Sequence, residues 1–285
     1  MTSAPGAEEP SPPAAPVYAL GSNDAERERL RRQSIELGAH SAALLDRVGV
    51  RPGQRVVDLG CGPRGIIDLL SERVGSDGLV VGLDLEPANI ALACSFADEH
   101  GLENVKILER DARETGLAAS SFDLVHARML LVNLPDPAAV VAEMARLVRP
   151  SGWVVGLESD SAFQLYHPPH PAWDRLREIF IAAFRVDGAD PFVGRRLPEL
   201  YREAGLIDVG IEARVELYPH GHSRRTLRVD LVRSMRAKIV ARGIAGEQEL
   251  DDLDRAARQH LDDPRTLVLT GVYFLAWGRK PATSC

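Results

Sequence analysis

A short apolar run that ends in an acid and a glycine-rich turn constrains this chain more than any other segment: Val56-Val57-Asp58-Leu59-Gly60-Cys61-Gly62-Pro63-Arg64-Gly65. Gly60, Gly62 and Gly65 formally satisfy G-x-G-x-x-G, and Asp84 ends the next apolar run. On pattern alone this points to a dinucleotide site. Asp58 argues otherwise. It stands two residues before the first glycine, at the carboxyl end of the strand, where a carboxylate would repel an incoming pyrophosphate. A ligand carrying positive charge is favoured there instead. The blander reading, Asp58 as a loop or helix cap, fits the adjacent glycines less well. Gly60 and Gly62 let a ligand approach the backbone where a Cβ would clash.

From Arg55 onward, short apolar runs alternate with helical spacing. Strands are expected at 55–59, 79–84, 105–108, 122–126 and 153–157. Ile66, Leu69, Leu70 and Val74 form one helix face, and Pro87 opens a second helix at its favoured first position. Asp136 and Pro137 start a third, with Val140, Val141, Met144, Leu147 and Val148 as its apolar stripe. Five strand–helix alternations predict an α/β fold, a doubly wound, mostly parallel sheet covered on both faces. The expected organisation is a disordered tail at 1–16, which holds five prolines, and an N-terminal helical lid at 17–50. A cofactor-binding core follows at 51–158, then lid or substrate helices at 159–206 and 219–266. The final strands of the sheet are placed at 207–218 and 267–280. The extra helices would cover the carboxyl edge of the sheet, where open α/β sheets bind ligands.

Composition narrows the partners. The formal charge is 34 − 41 = −7, which argues against a protein built to hold a phosphate backbone. No run of about 18 apolar residues suggests a membrane span, and the start lacks the pattern of a secretory signal. Cys61, Cys94 and Cys285 are too few and too scattered for a disulfide framework or a structural zinc cluster. Cytoplasmic localisation is expected.

The motif around Asp58 resembles the first motif, D/E-x-G-x-G, of the class I S-adenosylmethionine-dependent methyltransferases. Further stretches fall in the family's order: Gly82-Leu83-Asp84-Leu85-Glu86-Pro87, Asp111-Ala112, Phe122-Asp123-Leu124-Val125-His126-Ala127-Arg128, and Leu147-Val148-Arg149-Pro150-Ser151-Gly152. The closing Val272 to Lys280 resembles the family's last, antiparallel strand. The chain looks most like the small-molecule type, the quinone-methylating group and natural-product enzymes. This implies a Rossmann-like sheet with a helical lid and S-adenosylmethionine as cofactor. By resemblance, Asp84 accepts the ribose hydroxyls, and Asp111 and Ala112 meet the adenine. Tyr18 folds over the cofactor from the N-terminal lid, and Asp58, Gly60, Gly62, Leu85 and Ala127 complete the cofactor set. Two departures stand out: Arg64 occupies a position often glycine in relatives, and Asn133 one often histidine, so that position is no base here.

For a substrate proton the candidates are His126, Glu158 and, behind them, His167 and His170. His126 at the mouth of the fourth strand is open to two readings, a pocket-wall histidine or a general base. Glu158 ends the fifth strand and is expected to face the same pocket from the neighbouring strand, where burial would tune its carboxyl toward neutrality. Glu158, Asp160, His167 and His170 lie within 13 residues, yet their spacing matches no closed metal site, so no metal is assigned. Between Arg224 and Arg242 stand seven basic residues and one acid. They either wall an anionic substrate or pair with the acids of the following helix, and pairing is the more economical reading. Cys61 and Cys94 read as packing residues. The implied function is methyl transfer to a small-molecule acceptor, a secondary metabolite among the candidates, by in-line displacement, with homo-oligomerisation left open. The alternatives are a protein or nucleic-acid methyltransferase, or a catalytically silent S-adenosylmethionine-binding partner.

Overall fold

The computed structural model describes residues 24–269 and 271–282. Tyr18, Asn23, the proline-rich start and Cys285 lie outside them. Helices α1 (Asp24–Glu36) and α2 (Gly38–Val48) lead into β1 (Arg55–Leu59), α3 (Ile67–Val74), β2 (Leu79–Asp84), α4 (Pro87–Glu99), β3 (Val105–Glu109) and β4 (Phe122–Arg128). A 3-10 turn at Leu131–Asn133 precedes α5 (Pro137–Leu147) and β5 (Val148–Asp160). Then follow β6 (Leu165–His167), α6 (Pro171–Arg185), α7 (Val193–Glu203), β7 (Ile207–Arg214) and β8 (Leu217–Tyr218). The chain ends with α8 (Leu227–Ser234), α9 (Arg236–Ala241), α10 (Glu247–Asp262), β9 (Leu267–Leu269) and β10 (Val272–Arg279).

Seven strands form one sheet in the order β3-β2-β1-β4-β5-β10-β7. β10 runs antiparallel to both β5 and β7, and the remaining neighbours are parallel. The fold is therefore a doubly wound Rossmann-like sheet. Val56, Val57, Leu59, Val80, Leu83, Leu124 and Val125 are buried because helices cover both faces. Leu44, Leu45, Ile67, Leu70 and Val74 pack on one face, and Val140, Val141, Met144 and Leu147 on the other. The Asp136 carboxylate accepts the Ala139 N–H at 3.1 Å, capping α5 as its sequence predicts. The strand order reverses between β1 and β4, so crossovers leave on opposite sides and open a crevice at the carboxyl ends of β1, β2 and β4.

Several sequence expectations need correction. No helix joins β3 to β4; residues 110–121 run as turns. Glu143 of α5 holds this loop, taking the Thr115 hydroxyl at 2.5 Å and its N–H at 3.0 Å, while Arg146 donates to the Leu117 carbonyl. Helix α2 packs on the sheet through Ser41, Leu44 and Leu45, so of the N-terminal pair only α1 lies over the crevice. Helix α7 is likewise no lid: Leu197, Leu200 and Tyr201 bury it against β5, β7 and β10. The last two β-type runs are each interrupted. β8 and β9 leave the main sheet and join β6 in a small antiparallel sheet, order β6-β9-β8. That sheet and helices α6, α8, α9 and α10 form the cap, whose Trp173, Phe180, Val232, Ile239 and Leu261 merge with the main core. Cys94 is exposed, since α4 buries Ala93, Phe96 and Ala97 instead.

Candidate functional site

The parallel register sets Asp58 of β1 beside His126 of β4 and Gly82 of β2, so three strand ends reach the crevice together. One oxygen of the buried Asp58 carboxylate accepts the Ile66 N–H at 3.1 Å at the start of α3. The other lies 2.7 Å from His126 Nδ1. Between Asp58 and α3 the chain reverses through Gly60, Gly62 and Gly65, all at positive φ. A Cβ on Gly65 would meet the Asp58 carboxylate and stand 2.9 Å from the Cys61 carbonyl oxygen. A Cβ on Gly62 would meet nothing within 4 Å; its backbone faces open space, leaving room for a ligand. Cys61 packs below, and burial first, then Asp58 and Asp84, push its thiol well up, so it is no nucleophile.

A cleft of about 420 Å³ follows from this turn. Asp58, Gly60, Gly62, Asp84, Leu85, Asp111 and Ala112 line it together with the α1 face Glu26, Leu30, Gln33 and Ser34. Asp84 is held by the Gly62 N–H at 2.8 Å, the Glu86 N–H at 2.9 Å and the Asn89 amide at 3.2 Å. Three of its roughly four acceptor positions are then filled, which fixes the carboxylate at the cleft wall. Arg113 grips Asp111 through both carboxylate oxygens and holds its carboxyl below the usual range. Leu85 stands 45% exposed at the mouth, an apolar surface suited to a flat ring.

Sequence reasoning gave no role to the residues at the end of β4 and just after it. Arg128 lines the cleft, donating to the carbonyls of Ser34 and Gly65 and to the Ser41 hydroxyl. Burial pulls its guanidinium down to about 10, against the pull of Asp58 and Asp68, so it is cationic at neutral pH. An arginine closing an otherwise apolar buried strand was the available signal. Met129 adopts a left-handed backbone, φ 52°, with its N–H on the Leu157 carbonyl. Such strain, placed at the edge of a cleft, needs firm support from its surroundings. Glu158 supplies it: its carboxylate takes the N–H groups of Leu130 at 2.9 Å, Leu131 at 2.7 Å and Val132 at 3.3 Å. Burial nevertheless pushes the Glu158 carboxyl up to about 8, with those three N–H groups pulling the other way.

Beyond Met129 lies a second, smaller chamber of about 80 Å³ under the cap. Gln33, Met129 and Asn133 line both spaces. The Asn133 amide donates to the Met129 carbonyl at 2.7 Å, while its carbonyl oxygen is buried without a partner among the described residues. The far wall carries Asp160, Gln164, Phe180, Arg224, Arg228 and Tyr273.

The proton-handling candidates are not gathered here. His126 is fully buried, turned toward Asp58, and lines neither space; its Nε2 has no partner among the described residues. Glu158 is consumed by the backbone turn. His167 is exposed on β6, in the small sheet of the cap, and His170 caps α6. No histidine among the described residues lines either space, and none of their His, Cys, Asp and Glu side chains gather as a metal-holding group. Ala127 is buried in the core beneath the cleft; Arg128, Met129 and Leu130 face it instead. The arginines of 224–242 divide. Arg233 pairs with Asp254 and Arg236 with Glu247 and Asp251, while Arg224 and Arg228 turn into the chamber. No helix among the described residues is long and apolar enough to cross a membrane.

Residues 51–172 match the family described as Methyltransferase domain. Nocamycin O-methyltransferase of Saccharothrix syringae is 40% identical over 109 residues, 38% of this chain and 39% of that protein. Demethylmenaquinone methyltransferase of Geobacillus kaustophilus is 29% identical over 190 residues, 59% of this chain and 77% of that protein. The chain thus spans well under half of one relative and about three quarters of the other. Among solved structures, phosphoethanolamine N-methyltransferase 2 of Haemonchus contortus, in complex with S-adenosyl-L-methionine, superposes with a TM-score of 0.54. It is 19% identical, covering 85% of this chain and 52% of that one, a likeness of fold.

Proposed function

We propose that this chain, which carries a class I S-adenosylmethionine-dependent methyltransferase domain, moves a methyl group to a small-molecule acceptor held in the capped chamber. The observation that carries this reading is the shared wall: Gln33, Met129 and Asn133 face both the glycine-lined cleft and the chamber, so a donor in one adjoins an acceptor in the other. The cleft suits S-adenosylmethionine chemically. Open space at the Gly62 Cβ position admits a ligand to the backbone, and Asp84 keeps one acceptor position open for a ribose hydroxyl. Leu85, Asp111 and Ala112 would hold the adenine end, and Arg128 the amino-acid carboxylate. Asp58 favours the positive charge that a pyrophosphate lacks.

When bound, the cofactor supplies a methyl group activated by a sulfonium and a neutral thioether leaving group. The protein's part is positioning. Met129 and Asn133, pinned through the Glu158 turn, fix the passage between the spaces, and effective molarity from such alignment supplies much of the rate. The cap and α1 keep water out, which favours a displacement that neutralises charge. With His126, Glu158 and His167 turned elsewhere, no general base is assigned; the acceptor reacts in its ionised or intrinsically nucleophilic form. The acidic net charge of −7 favours a small molecule over nucleic acid, and the unpaired Cys61 and Cys94 suit a reducing cytoplasm. Incubation with methyl-labelled cofactor and fractionated metabolite extract tests the proposal. Label is expected in a small-molecule product resolved by mass spectrometry; label confined to protein or nucleic acid would overturn it.

A further inference from the structure

Four charged side chains line the chamber, and three are matched. Arg29 lies on Glu26, Asp160 on Arg195, and Arg224 on Glu36 and the Tyr273 hydroxyl. Arg228 is the exception. It is 5% exposed, and its Nη1 is buried with no hydrogen-bond partner among the described residues. Its Nε donates to the neutral Gln164 side chain at 3.1 Å, and its guanidinium lies 3.8 Å over the Phe180 ring. No described carboxylate contacts it, although Asp230 stands two residues on, paired with Arg258 at the surface. One turn earlier, Arg224 also leaves its Nε without a partner among the described residues. An unmatched cation buried beside an aromatic ring is costly to keep unless something else matches it. Burial lowers the Arg228 guanidinium only to about 10, so it retains its charge at neutral pH.

We infer that Arg228, with Arg224 lining the same chamber, forms an oxyanion subsite, and that the methyl acceptor carries a carboxylate or a comparably acidic oxygen. A planar guanidinium fork matches two oxygens of such a group. The subsite explains how an acceptor can arrive ionised at a site without a facing base: the excess positive charge selects the anion. It rests on the methyl-transfer reading for its purpose, though not for its charge.

The test is calorimetry on the full chain saturated with S-adenosylhomocysteine, using matched carboxylate and amide probes from acetate and acetamide to benzoate and benzamide. At least one carboxylate is expected to bind roughly 10- to 100-fold more tightly than its amide. Arg228→Gln should abolish that preference and leave S-adenosylhomocysteine affinity within about twofold, a change too small to signal lost packing; Arg228→Lys should restore part of it. Absence of a carboxylate preference in every pair, which needs no variant, overturns the subsite. So does a preference that survives in Arg228→Gln. Failure of S-adenosylhomocysteine to bind would instead remove the methyl-transfer reading, with the carboxylate–amide comparison on the unloaded chain still deciding the subsite.

Discussion

Replacing Glu158 by glutamine removes a titration that the fold makes unusual. The carboxyl is fully buried and pushed from 4.5 to about 8. Between those values the folded chain keeps a proton that the unfolded chain has released. Stability therefore falls as pH rises through this window, by at most about 1.4 kcal/mol per pH unit, and levels off above the folded value. Over pH 5 to 8 the ceiling is about 4 kcal/mol. His40 and His260 titrate in the opposite sense: burial lowers both, so their contribution grows as pH rises through the histidine range. Because those groups are common to both proteins, the difference between wild type and Glu158→Gln isolates Glu158. The assay is urea unfolding at pH 5, 6, 7 and 8, followed by tryptophan fluorescence. The expected result is a wild type that loses roughly 2–4 kcal/mol relative to the variant between pH 5 and 8. Parallel stability–pH curves would refute the argument and show that the Leu130–Val132 N–H groups keep the carboxylate ionised.

Asp84→Ala should weaken S-adenosylmethionine binding by about 1.5–3 kcal/mol in calorimetry, through loss of charge-assisted hydrogen bonds; unchanged affinity would remove the ribose assignment. His126→Gln and His167→Ala should keep methyl-transfer turnover within about threefold, against the roughly 10²–10⁴-fold loss expected of a general base. The His126 variant should also unfold about 1–3 kcal/mol more easily, because Asp58 loses a buried partner. Since Leu30 and Gln33 of α1 face the cleft, tryptic cleavage at Arg27 to Arg32 should slow when cofactor is added; equal rates would mean that α1 does not respond to it.

What the sequence disclosed follows from how local each signal is. The β1 turn was legible because its acid and glycines are contiguous, and Asp136-Pro137 because a cap and its helix are neighbours. Side-chain direction was not. Glu158 and His126 each sit two residues before a strand end, but only pairing decides that one is drawn under the β4 turn and the other against Asp58. The amphipathic face of α7 announces burial without naming its partner, so a crossover helix read as a lid. Strands of two or three residues such as β8 and β9 carry too little period to separate them from their neighbours. The arginine run pointed toward ion pairing, and Arg233 and Arg236 obey that. Arg224 and Arg228 face inward, Arg224 onto Glu36 and Arg228 onto no described carboxylate, which no charge count reveals.

The central claim is that the cleft at the ends of β1, β2 and β4 takes a sulfonium cofactor and refuses a dinucleotide. Calorimetric titration of the full chain with S-adenosylmethionine, and separately with NAD, tests this most directly. One equivalent of S-adenosylmethionine should bind with NAD showing no heat of binding, because Asp58 stands where the pyrophosphate would lie. Saturable NAD binding in the absence of S-adenosylmethionine binding would contradict the account.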